Sequence, residues 1–254
     1  DINNPAAPQF LHQWPMIGSI QAVESSVLYL WDDRGDITLI LASDARRPEI
    51  GGTLGLVKSL ESRGLGRFMS VSRGLAYLIR ATEFGCTRGS CWDEHFVLEV
   101  FDVSHPRAPV KVFWMPETGW PRHIQRIGNH LLAGGQAYSL ADPRHPVPVR
   151  TQAPVPEINK MASEGNALVV ADWRSFSRYT IVTADETAFE LRLDSTLPFD
   201  PLCIGESFAP PNVELNMRLA WMPGADGRLC TLRHDPSLGA PVQWVADNGP
   251  SASW

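Results

Sequence analysis

The chain has 254 residues, of which 44% are hydrophobic and 20% are charged, and its formal net charge is −6. This composition is that of a globular protein, while the acidic balance argues against nucleic-acid or anionic-membrane partners and no run of about 18 apolar residues predicts a membrane span. The 21 prolines and 20 glycines are scattered singly, which is typical of many short strands joined by turns.

A corner with the pattern Asp-x-x-(x)-Pro-x-x-Pro recurs along the chain and is followed each time by an apolar strand. It is clearest in FDVSHPRAPVKV, residues 101–112. The prolines remove backbone donors and fix φ, so one strand ends there and the next begins. The aspartate can cap the turn by accepting local backbone N–H bonds. The other copies begin at Asp1, Asp44, Asp142 and Asp235, and a degenerate copy without prolines lies at Asp185–Ala188.

Two further apolar strands precede each corner, and the first of them starts near residues 17, 66, 122, 158 and 213. Repeated units with this spacing, built from short strands in which apolar and polar residues alternate, are the signature of a β-propeller. The sequence therefore predicts an all-β fold, a single β-propeller over residues 1–250 with five blades of four antiparallel strands, and six blades as the alternative. Only three strands are recognisable in the last unit, so we expect the N-terminal segment 6–14 to complete the C-terminal blade and close the ring.

Residues 251–254, SASW, match the start of an affinity tag and are expected to lie outside the domain.

Two stretches, residues 165–172 and 101–112, give the units a resemblance to LVIVD-repeat propellers. Blades of that family read as a small residue and an apolar strand, then an apolar strand that ends in Asp and Pro-x-x-Pro. The resemblance covers most of the chain and weakens after Asp185. It implies a bacterial, commonly exported propeller, and it transfers no catalytic residue because the family has no single shared activity.

Four cysteines are present, and two of them, Cys86 and Cys91, close the short segment CTRGSC. Their spacing does not fit a zinc site, which prefers a two-residue gap and a second ligand pair. We predict a disulfide-closed hairpin loop here. Cys203 and Cys230 form a second bridge or remain buried thiols. Because disulfides persist in oxidising compartments, a periplasmic or secreted protein is expected.

Propellers bind ligands at the mouth of the central channel, where the starts of the inner strands and the loops between second and third strands meet. Several of these positions carry a Trp beside an Asp, which can bind sugars or cations; the alternative is that each Trp packs its loop while the acid is solvated. The predicted ligand-binding residues are Trp31, Asp32, Trp92, Asp93, Trp120, Arg122, His123, Asn159, Asp172, Trp173 and Arg174.

From these residues we predict an exported scaffold that binds a small molecule, a carbohydrate or a protein partner through the channel mouth. The alternative is a hydrolase or lyase in which His123, Lys160 and Glu214 act as acid and base. No nucleophile, phosphate-binding or dinucleotide motif occurs in the sequence, so no cofactor is predicted. Calcium is the one alternative, because WDDRGD (residues 31–36) has alternating acids, although it lacks the length and terminal Glu of an EF-hand loop.

Overall fold

The computed structural model describes residues 18–32, 36–54, 68–87, 90–117, 123–133, 135–151, 160–171, 175–198, 214–215, 219–223, 229–233 and 243–246. Twenty β-strands form this part of the chain. Among the same residues there is no helix of the length and apolar character needed to cross a membrane.

The strands follow one another in five antiparallel meanders of four strands each. The first meander contains β1 (Gly18–Glu24), β2 (Val27–Asp32), β3 (Ile37–Leu41) and β4 (Glu49–Leu54). The second contains β5 (Phe68–Ser72), β6 (Leu75–Thr87), β7 (Ser90–Asp102) and β8 (Val110–Glu117). The third contains β9 (Ile124–Ile127), β10 (His130–Ala133), β11 (Gln136–Ser139) and β12 (Val147–Thr151). The fourth contains β13 (Lys160–Glu164), β14 (Ala167–Ala171), β15 (Ser175–Ala184) and β16 (Ala188–Pro198). The fifth contains β17 (Glu214–Leu215), β18 (Leu219–Pro223), β19 (Leu229–Arg233) and β20 (Gln243–Ala246).

The all-β class and the recurrence of four-stranded units are thus confirmed, and each first strand begins within two residues of its predicted start. The third and fourth meanders join into one eight-stranded sheet, because β12 pairs with β16 in parallel through Arg150↔Ala188 and Thr151↔Phe189. The number of blades in a closed ring stays a prediction.

The last unit differs from its prediction. The stretch 213–221, expected to be one strand, holds both β17 and most of β18, so four strands of the fifth sheet are already supplied by described residues between 214 and 246. The premise for closure by the N-terminal segment was therefore wrong. That segment, residues 6–14, and the corners that begin at Asp1 and Asp235 lie outside the described residues.

The chain divides into two compact units, Asp1–Thr118 with Asp142–His145, and Gly119–Ala141 with Pro146–Trp254. In each unit the core combines residues of two consecutive meanders, as expected because a single four-stranded sheet cannot bury both of its faces alone. The core of the first unit contains Tyr29, Ile37, Leu39, Leu54, Ala76, Leu78, Phe101 and Val103. The core of the second contains Ile127, Leu132, Ala137, Val149, Met161, Leu168, Val170, Ile181 and Phe189.

The aspartate of each described corner caps its turn, which confirms the role predicted for it. In every case Oδ1 accepts the backbone N–H two residues further along the chain, an Asx turn that needs no proline. This is why the degenerate corner at Asp185 still turns the chain. The four bonds are Asp44 to Arg46 (2.9 Å), Asp102 to Ser104 (3.0 Å), Asp142 to Arg144 (2.9 Å) and Asp185 to Thr187 (2.8 Å).

Backbone carbonyls of the corners also accept hydrogen bonds from strand residues of the same unit. In the first unit the N–H of Gly52 on β4 donates to the carbonyl of Pro106 at 2.7 Å, and Tyr77 Oη donates to the carbonyl of Pro143 at 3.0 Å. In the second unit His130 Nε2 bonds to the carbonyl of Asp185 at 2.7 Å. The repeated residues are therefore engaged in holding the fold.

Candidate functional site

The pairing of first and second strands brings the predicted site positions to one end of each meander. The first residue of β1, Gly18, pairs with the last residue of β2, Asp32, and Lys160 at the start of β13 pairs with Ala171 at the end of β14. Since antiparallel partners run in opposite directions, the loop after each second strand lies beside the start of its first strand. Within each of these meanders the two groups of predicted residues therefore share one edge.

In the second unit, the start of β9 lies beside β13, since Gln125 is the second residue of β9 and its partner Ser163 is the fourth of the five residues of β13. Gln125 Nε2 on β9 donates to Ser163 Oγ on β13 at 3.5 Å, and His123 and Lys160 precede these residues at the same ends of their strands. His123 and Lys160 are both half-buried. We call His123, Gln125, Lys160 and Ser163 the strand-start cluster. Two of the three predicted acid/base residues are thus brought together.

The third, Glu214, is the first residue of β17. That strand packs beside β13, so Glu214 occupies the equivalent position in the next meander. Its backbone placement agrees with the prediction, and its side chain lies outside what the structure describes.

The charge state of His123 follows from its surroundings. Burial lowers the pKa of the imidazole most, the positive charge of Lys160 lowers it further, and the nearby Gln125 side chain offsets part of the effect, so that the pKa falls from 6.5 to about 4. His123 is therefore a neutral imidazole at physiological pH, with one donor and one acceptor nitrogen.

This arrangement is better suited to binding than to proton transfer near pH 7. The neutral imidazole has one donor nitrogen, and the Lys160 ammonium adds a positive charge close to it. An effective general base has a pKa near the working pH, and the pKa of His123 lies well below it.

The other predicted ligand-binding residues are only partly placed. Trp31 is half-buried and lies within β2, opposite Ser19 and Ile37, and Asp32 ends the same strand. Trp92 and Asp93 were expected in a loop, which is wrong, because they lie within β7. The residues outside the described part of the chain are Trp120, Arg122, Asn159, Asp172, Trp173 and Arg174.

Trp92 and Asp93 are in a strand because the hairpin between β6 and β7 is much longer than the sequence indicated. Each of these strands has 13 residues, whereas the equivalent β10 and β11 have 4 each. The glycine, serine and threonine of CTRGSC indicated a loop, but Cys86 and Cys91 continue the ladder as a pair.

A buried ionic cluster at the base of this hairpin was also missed. Arg80 and Glu99 are only 6% and 2% exposed, and two hydrogen bonds join them, Nε to Oε2 at 2.9 Å and Nη2 to Oε1 at 2.8 Å. Lys111 Nζ donates to Glu99 Oε1 at 2.6 Å and lies 5.6 Å from the centre of the Phe101 ring. The sequence signal was a single charge in each of two apolar strands, AYLIR and VLEVF.

Metal binding is tested only where side chains are described. Among those residues, no three His, Cys, Asp or Glu side chains are grouped closely enough to hold an ion. The alternative calcium site at residues 31–36 includes 33–35, which lie outside the described residues, so it stays a prediction.

No protein-family model and no curated protein matches the chain. Among solved structures, the chain is similar to a complex of KlAtg21 with the coiled-coil of AgAtg16, with a TM-score of 0.56, 11% identity, and coverage of 91% of this chain and 70% of that one. Because the identity is so low, the likeness concerns the fold alone. This propeller-like neighbour agrees with an all-β chain of antiparallel meanders.

Two further structures have lower TM-scores. PorZ, an essential bacterial surface component of the type-IX secretion system of Porphyromonas gingivalis, has a TM-score of 0.46 and 17% identity, and the match covers 90% of this chain and 27% of that one. A functionally unknown protein from Desulfotomaculum acetoxidans has a TM-score of 0.47 and 11% identity, with coverage of 92% and 87%.

Proposed function

We propose that the chain is an exported, five-bladed β-propeller that acts as a binding scaffold, and that it holds a polar, carboxylate-bearing group of its partner at the strand-start cluster. The observation that carries this proposal is the proximity of Lys160 to a neutral His123 at the starts of two neighbouring first strands. A fixed cation beside neutral donors favours a carboxylate over a cation or an apolar group.

The fold supports a scaffold in a second way. The repeated aspartates are used for turns, and the non-repeated residues His123, Gln125 and Lys160 differ from their counterparts in the other meanders. Residues that differ from one repeat to the next are not required for the repeated fold, so they can determine which partner binds. Five four-stranded meanders, with cores between the first and second and between the third and fourth, support five blades.

A protein partner is the class we favour among those predicted. The propeller-like neighbour with the TM-score of 0.56 is named as a complex with a coiled-coil, which supports a partner protein over a small molecule. The net charge of −6 disfavours long polyanions, so a partner segment with a few carboxylates fits the cluster best.

The alternative of a hydrolase or lyase has less support. It requires His123 to exchange protons near neutral pH, and a pKa of about 4 leaves the imidazole a weak base there.

The test is a titration with two short peptides that differ only in Glu-for-Gln replacements, read by fluorescence anisotropy at low and at physiological salt. We expect the glutamate peptide to bind more tightly, and Lys160→Gln to weaken it by about 10-fold, as expected for a lost hydrogen bond to a charged group. Arg46→Gln removes the same charge from an exposed corner of the first unit and is the matched control. Equal binding of the two peptides would contradict the proposal.

A further inference from the structure

The hairpin of β6 and β7 extends beyond the rest of its sheet. The first residue of β5, Phe68, pairs with Ile79, and the last residue of β8, Glu117, pairs with Phe96. Beyond those pairs, residues 83–87 pair only with residues between 90 and 95 in the described ladder. We call residues 82–95 the arm. Its five residues from Glu83 to Thr87 correspond to about 17 Å of extended chain.

The base of the arm is firmly held. Arg80, which lies two residues before the arm, forms both of its hydrogen bonds to the buried Glu99, and Lys111 donates to the same carboxylate. In the described ladder the arm is a two-stranded hairpin, and such a hairpin on its own is only marginally stable in water. Its ladder is also interrupted twice, between Ala81 and Glu83 and between Glu83 and Phe84.

The register of the arm places its two cysteines directly opposite one another. Cys86 pairs with Cys91, one step before the last pair of the ladder, Thr87 with Ser90. Directly opposed residues in an antiparallel ladder have Cα atoms about 4.5 or 5.5 Å apart and share one face of the sheet. Both distances lie within the range of about 4.4–6.8 Å that a disulfide spans. A register shifted by one residue would put the two cysteines on opposite faces.

We propose that Cys86 and Cys91 form a disulfide that acts as a redox-sensitive clip on the tip of the arm. The bond forms by thiol–disulfide exchange: the two thiols lose their protons and two electrons to an incoming disulfide of an oxidoreductase, which leaves as a dithiol. A dithiol reductant reverses the step. The bond is predicted from the sequence. The strand register indicates its role, which is to hold the ladder of a projecting hairpin in place.

The clip also fixes residues that were predicted to bind a ligand. Trp92 pairs with Gly85 and Asp93 with Phe84, immediately below the cysteine pair. An intact disulfide therefore keeps both residues in one register on the arm. This second step rests on the sequence prediction that Trp92 and Asp93 bind a ligand, whereas the bond itself does not.

The bond is tested on the intact chain by peptide mapping without reductant. Trypsin cleaves after Arg80, Arg88 and Arg107, so it separates Cys86 from Cys91 and leaves peptides 81–88 and 89–107. We expect these peptides to be linked in protein equilibrated in a glutathione redox buffer, and to separate on reduction. Free thiols at both positions, or links from either to Cys203 or Cys230, would overturn the proposal.

The clip function is tested by hydrogen exchange on the Cys203→Ser/Cys230→Ser variant, in which only the arm cysteines remain. Reduction should speed amide exchange in the arm by up to about 40-fold, the loop-closure entropy of a six-residue loop, and leave residues 75–79, which pair with β5, unchanged. In the matched Cys86→Ser/Cys91→Ser variant, amide exchange in the arm should not respond to reductant. Exchange in the arm that is unaffected by reduction would overturn the clip. The peptide titration is read separately, so failure of the binding proposal is distinguishable from failure of the bond.

Discussion

Arg80 and Glu99 form a bidentate ion pair between β6 and β7, and both side chains are almost completely buried. Lys111 adds a second cation to the same carboxylate. A buried charge is tolerated only when it is paired, so the single acidic group neutralises one of the two cations around it and hydrogen-bonds to both. The stability of the second meander therefore depends on Glu99 more than on either base.

The first prediction concerns this carboxylate. Glu99→Gln leaves the buried Arg80 and the partly exposed Lys111 without their counter-ion, and we expect the free energy of unfolding to fall by about 3 kcal/mol. Urea denaturation followed by circular dichroism measures it. The control is Glu49→Gln, which breaks the exposed pair with Arg107 and should cost less than about 1 kcal/mol. Equal effects of the two substitutions would show that the buried cluster adds no special stability.

The second prediction concerns the pH dependence from His123. Its pKa is lowered to about 4 in the folded chain, against 6.5 for the free side chain, so between these values the unfolded state binds more protons. Stability from this residue is therefore complete above pH 6.5 and is lost as the pH falls toward 4. Imidazole NMR titration should show the low pKa directly, and Lys160→Gln should raise it. A wild-type pKa near 6.5 would contradict the geometry of the cluster.

The third prediction concerns the proline-free corner. Asp185 Oδ1 accepts hydrogen bonds from the N–H groups of Thr187 and Ala188, at 2.8 and 2.9 Å. Asp185→Ala removes this acceptor and should lower Tm by about 2–4 °C, whereas Asp185→Asn keeps an oxygen in place and should lower it less. The neighbouring exposed Glu186→Ala is the control. A Tm equal to that of the control would show that this corner needs no cap.

The same bonds give this corner a pH dependence. Hydrogen bonds from Thr187 lower the pKa of the Asp185 carboxyl. The contribution of this carboxylate to the stability of the fold is therefore present at neutral pH and is lost as the carboxyl becomes protonated in acid. The difference in Tm between wild type and Asp185→Ala should therefore shrink at low pH. A difference that stays constant would contradict the role of the ionised carboxylate.

The fourth prediction concerns the glycine pair on β4. A Cβ at Gly52 would lie 2.3 Å from Cδ of Pro109, and the Gly52 N–H donates to the carbonyl of Pro106. Gly52→Ala must push the corner away, and we expect a loss of about 1–3 kcal/mol in the free energy of unfolding. Thr53→Ala, at an exposed position of the same strand, should change it by less than about 0.5 kcal/mol. Similar losses in the free energy of unfolding for both substitutions would show that Pro109 does not pack closely against Gly52.

Much of the fold could be predicted because it depends on local signals. Asp102 and Asp142 cap their turns through bonds to residues two positions away, so recurrence of the corner revealed both the turns and the strand starts. The division of the last unit into β17 and β18 could not be seen, because a two-residue strand such as Glu214–Leu215 has no measurable alternation.

The missed features of the second meander depend on register. Arg80 and Glu99 stand 19 residues apart, and only the pairing of β6 with β7 brings them together. The arm carries two bulges, which hide its alternation from a period-two search. In the strand-start cluster, His123 and Lys160 could be named from their positions at strand starts, but the low pKa of His123 follows from burial, which the sequence does not show.

The most direct test of the binding proposal is the affinity of the glutamate peptide for three proteins, the wild type, Lys160→Gln and Arg46→Gln. We expect Lys160→Gln to bind about 10-fold more weakly than the wild type and Arg46→Gln to bind equally well, since of these two cations Lys160 is the one beside His123. Equal losses in both variants would mean that general charge, and not the strand-start cluster, attracts the peptide, and this result would contradict the proposed site.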